Sequence, residues 1–120
     1  MNIFDVEYFD GLLNDIRVIF EEKNLELDNI LSKTMLDSVK NEKIRPYLFL
    51  GVSYRDALKR IKEKFIAFKK STDIQQLNEH NQSLVKGFSK KLNSVLLKSE
   101  KFIQKCDNGL IVCENTKDLT

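Results

Sequence analysis

IQQLNEHNQSLVKGFSKKLNSVLLKSEKFIQKC, residues 74–106, is the stretch that decides the fold. Apolar residues stand at Ile74, Leu77, Leu84, Phe88, Leu92, Val95, Phe102 and Cys106, and Leu96 and Ile103 widen the stripe. Most steps are three or four residues, or sums of those. That is the period of one helix face, whereas a strand alternates every second residue. Asn81 and Ser99 fill polar places in the series, and Lys86, Lys90, Lys98, Lys101 and Lys105 occupy the opposite face. A long helix with one apolar stripe needs other helices to cover it.

The upstream segments supply them. Tyr54, Ala57, Leu58, Ile61, Phe65 and Phe68 repeat at the same spacing. Ser53, with Asp56 three residues on, reads as a shortened capping box that starts this helix. Ser71 or Thr72 is positioned to cap the next one, and the short connection makes the pair an antiparallel turnaround. Nearer the start, Phe9, Leu12, Leu13, Ile16, Ile19 and Phe20 form a further stripe, with Asn2 or Asp5 as its cap. Gly11 beside that stripe reads as a close approach or a local irregularity. The pattern resumes at Leu27, Ile30, Leu31, Met35 and Val39. One helix over residues 4–40 and two with a break near Asn24 both fit.

Pro46 biases Arg45 toward an extended conformation and argues for a helix boundary. Asp107-Asn108-Gly109 reads as a helix stop. The expected fold is all-α: an elongated antiparallel bundle of roughly three to five helices, completed by dimerisation if one copy cannot cover its own stripes. Residues 1–106 form a single helical domain in this reading. Residues 107–120 form an extended segment, including Leu110 to Cys113, and a frayed polar tail.

Composition narrows the function. With 120 residues and 42% apolar content, the chain suits one domain with a modest core. No apolar run approaches the roughly 20 residues that span a bilayer, and the N-terminus does not read as a signal peptide. The expectation is a cytoplasmic protein with no membrane association and, in a reducing setting, no disulfide scaffold. The amphipathic run from Leu84 to Cys106 also has the pattern of an interfacial membrane helix, but a bundle helix fits it equally well.

Catalytic material is sparse. Cys106 and Cys113 are not a CxxC pair, and His80 is the one histidine, so zinc ligation within a single copy is not expected. On one helix His80 and Cys106 lie roughly 39 Å apart, too far for a nucleophile and its base. Asp15 and Glu22, or Glu22 and Glu26, can share a helix face, but a four-helix dimetal site also needs Glu-x-x-His pairs. No Gly-rich phosphate loop is present. No enzyme activity, catalytic residue, metal or other cofactor is expected.

Two surfaces remain as candidates. Tyr47, Leu48, Phe49 and Leu50 form a short apolar run, either a buried connector or a partner-binding patch. The second is charge. Residues 1–40 carry nine acidic and four basic side chains, while residues 41–106 carry six acidic and fifteen basic. Lys59, Arg60, Lys64, Lys86, Lys90, Lys98, Lys101 and Lys105 are candidate phosphate contacts if antiparallel packing merges them into one surface. The same asymmetry could simply pair one part of the fold with another. The expected role is a small helical interaction, adaptor or regulatory protein that binds another protein and forms a homodimer. The alternative is a lysine-rich nucleic-acid-binding accessory protein; against it, arginines are few and no helix-turn-helix unit is evident.

Overall fold

The computed structural model describes residues 4–118 of the chain, with side chains for residues 4–110. Three long helices, α1 (Val6–Ser32), α2 (Asp37–Ser71) and α3 (Glu79–Asp118), form an elongated bundle measuring 64 × 22 × 17 Å. A 3-10 turn at Ile74–Gln76 lies between α2 and α3. The long axis matches α3, whose 40 residues span about 60 Å at about 1.5 Å each.

The chain runs up, down and up. Tyr47 on α2 meets Glu26 on α1, while Phe4, ahead of α1, meets Phe65 and Phe68 near the end of α2, so these helices are antiparallel. Phe65 stacks on Phe88, while Gly51 lies under Phe102 and Ile103, so α2 and α3 are antiparallel too. Consequently α1 and α3 are parallel.

The stripes read from the sequence become the core. Leu13, Leu27, Ile44, Leu58, Phe88, Val95 and Cys106 have no measurable solvent exposure. Phe4, Phe9, Phe65, Phe68 and Phe88 pack at one end, and Phe20, Tyr47, Tyr54 and Phe102 around the middle. Ser99 is fully buried, and its Oγ donates to the Leu96 carbonyl at 2.6 Å, so its polarity is satisfied inside the helix.

Helix boundaries depart from the local signals at several places. The first break falls at residues 33–36, not near Asn24. There the Lys40 ammonium, reaching back from α2, donates to the Leu31 carbonyl at 3.3 Å and covers the end of α1. Pro46 does not end a helix. It sits on the exposed side of α2, where the Glu42 carbonyl that lacks its amide partner can turn to water. Ser53 starts nothing, because α2 runs through it.

The caps of the third element also differ. The Ser71 hydroxyl donates back to the Ala67 carbonyl at 3.0 Å. Asp73 caps the 3-10 turn, and Asn78 caps α3 by accepting the Asn81 amide at 2.8 Å. Asn81 is therefore a first-turn residue, while Ile74 and Leu77 precede α3. Asp5 caps α1 through the Tyr8 amide; Asn2 lies outside the described residues.

The expected stop at Asp107-Asn108-Gly109 and the extended segment after it are replaced by helix through Asp118. Packing overrides the local preference. Leu110 is buried, and a Cβ on Gly109 would come within 2.9 Å of Leu31 and 3.0 Å of Ile44. The glycine lets three helices converge here, and a left-handed turn is absent. Gly11, by contrast, has open space where a side chain would go, so no close approach requires it.

Candidate functional site

The charge asymmetry of the sequence resolves into a seam between α1 and α3. Lys91 pairs with Asp10 at 2.7 Å, and Lys105 reaches both Asp28 at 2.7 Å and Asn24 at 2.8 Å. Partial exposure of both pairs keeps their stabilising effect modest. They fix the register of the parallel helices, with positions 81 and 77–81 residues apart side by side.

Two cavities open along this seam. One, of about 320 Å³, is lined by Phe20, Glu21, Asn24, Lys98, Lys101, Phe102 and Lys105. The other, of about 360 Å³, is lined by Asn14, Arg17, Gly87, Lys90, Lys91, Ser94 and Val95. The floors are apolar and the walls carry charge. Arg17, Lys90, Lys98, Lys101 and Glu21 make no ion pair within 4.0 Å among the described residues.

Three apolar side chains border the same seam. Leu97 is 51% exposed and lies three residues from Ser94 and four from Lys101, one helical turn either way. Val18 stands four residues after Asn14, and Leu25 four after Glu21; both are exposed. Neither the sequence stripes nor the charge pattern singled out these three. The available signal was their place off the core face of otherwise amphipathic helices.

Of the proposed phosphate contacts, Lys90, Lys98, Lys101 and Lys105 come together along this seam. Lys86 lies outside both cavities, as do Lys59, Arg60 and Lys64, which are exposed on α2. The run Tyr47–Leu50 divides. Tyr47, Leu48 and Leu50 pack partly buried against the core, whereas Phe49 is 77% exposed on the outside of α2. The Tyr47 hydroxyl donates to Glu26 at 2.9 Å. That bond, together with one from Lys23, holds the Glu26 carboxyl below its usual pKa. Burial, then the Glu26 bond, raises the Tyr47 phenol.

His80 is exposed near the start of α3, and Cys106 is a free, buried thiol far along the same helix. Desolvation pushes the Cys106 thiol up to about 11, so it is protonated at neutral pH. Asp15, Glu22 and Glu26 are exposed on α1. Among the described residues, no three His, Cys, Asp or Glu side chains cluster to hold a metal ion, and no helix is long and apolar enough to cross a membrane. No protein-family model, curated protein or solved structure matches the chain.

Proposed function

We propose that this chain is a small, non-catalytic helical protein that docks on another protein through its α1–α3 face, in an adaptor or regulatory role. The observation that supports it is the composition of that face. Exposed Val18, Leu25 and Leu97 border charges of both signs. A protein surface can match both the apolar side chains and the mixed charge. The reading includes a cytoplasmic setting and self-association.

A nucleic-acid accessory role is the second reading, favoured by the lysines gathered along α3. Glu21 on the cavity wall opposes it, because a phosphodiester backbone would meet that carboxylate. The test is affinity capture from native extract, with and without nuclease, comparing the wild type with Leu25→Asp/Leu97→Asp. A protein retained by the wild type and lost by the variant supports docking. Recovery of nucleic acid alone, with binding that falls by about 0.9 log units per neutralised phosphate for each log unit of salt, would replace it.

A further inference from the structure

We propose that the α1–α3 face seats a second copy of this chain, α1 of each protomer lying against α3 of the other around a twofold axis parallel to the bundle. This rests on the protein-docking reading and names its partner.

The first support is charge. On α1 Glu21 lines the seam, with Asp15 and Glu22 exposed farther round the helix, and on α3 Lys90, Lys98 and Lys101 line the two cavities. A twofold axis perpendicular to the helices would set acid on acid and lysine on lysine. The parallel axis sets the acidic row of each copy on the lysine row of the other, and an isologous interface needs that self-complementarity. Arg17 is the cation on α1 in this region; it lies within the seam, one turn before Glu21.

Register is the second support. A twofold axis along the bundle preserves height, so residues level within one copy are level across the interface. The Asp10–Lys91 and Asn24–Lys105 contacts, both 81 residues apart, put Val18 within two residues, about 3 Å, of the height of Leu97, and Glu21 within one residue, about 1.5 Å, of Lys101. Apolar side chain thus meets apolar side chain, flanked by carboxylate on ammonium.

The experiment is sedimentation equilibrium on the full chain and two charge-reversed forms, Glu21→Lys/Glu22→Lys and Lys98→Glu/Lys101→Glu. Circular dichroism confirms that each form folds; all four side chains are exposed or on the cavity wall. The wild type should dimerise, and each reversed form alone should dimerise at least about tenfold more weakly. An equimolar mixture of the two should recover the dimer, because both α1–α3 contacts then join opposite charges. A monomeric wild type at high protein concentration overturns the self-pairing; loss of a captured protein in Leu25→Asp/Leu97→Asp would still leave the docking reading standing. A dimer indifferent to both reversals, or a mixture that stays monomeric, overturns the proposed face.

Discussion

Phe102 lies so close over Gly51 that a Cβ on the glycine would come within 2.9 Å of the ring. The contact brings α2 and α3 together at mid-bundle, where both residues are buried. Ile103 closes the other side at 3.0 Å, and neither a ring edge nor a branched stem can swing aside cheaply.

Gly51→Ala should therefore destabilise the protein. Alanine is the better helix former by about 1 kcal/mol, but overpacking costs about 1–3 kcal/mol, so the net loss is about 1 kcal/mol. Gly11→Ala, with open space around its Cβ, should gain about 0.5–1 kcal/mol. Urea unfolding of both variants checks the pair. Opposite signs are expected, and a stabilising Gly51→Ala would show that the close approach is not tight.

Pro46→Ala should stabilise α2 by about 1–3 kcal/mol, because it restores an amide donor to the Glu42 carbonyl in an exposed helix interior. Thermal melts of the variant should shift upward. An unchanged or lowered melting temperature would mean that the proline shapes the helix in a way the packing needs.

The helix faces were legible in the sequence because burial acts on every turn, and residues such as Leu92, Val95 and Phe102 repeat the message. The ends were less legible because each rests on one or two residues. Pro46 is tolerated inside α2 because the carbonyl it orphans lies on the exposed side, where water can bond to it. Gly109 signals a stop in isolation, yet Leu31 and Ile44 use it as a gap. The real break at residues 33–36 contains neither glycine nor proline. The charged seam was half legible: the acidic start and lysine-rich remainder were plain, but which lysines share a groove depends on α1 and α3 being parallel.

Stability should fall at alkaline pH. Tyr47 and Cys106 both have raised pKa values in the folded state. Their contribution is full below the ordinary values, near 9 for the thiol and 10 for the phenol, and is lost as pH rises, for the thiol through about 11. Melting temperatures measured between about pH 8.5 and 11 should decline, and Cys106→Val should reduce that decline. An identical profile for the variant would remove the thiol from the explanation.

The Asp10–Lys91 and Asp28–Lys105 pairs should contribute unequally. Asp10 is 18% exposed at its side chain and Asp28 53%. A double-mutant cycle to alanine should give a coupling of about 0.5–1 kcal/mol for the first and less for the second, both reduced by salt. A larger coupling for Asp28–Lys105 would contradict the burial argument.

Self-pairing through the α1–α3 face is tested most directly by amide chemical shifts recorded as the concentration of the wild-type protein is raised. We expect shifts at Val18, Glu21, Glu22, Leu25, Leu97 and Lys101, with Phe49, Arg60 and Lys64 on the outside of α2 unmoved. Shifts centred on α2, or none at any residue up to millimolar protein, would contradict it.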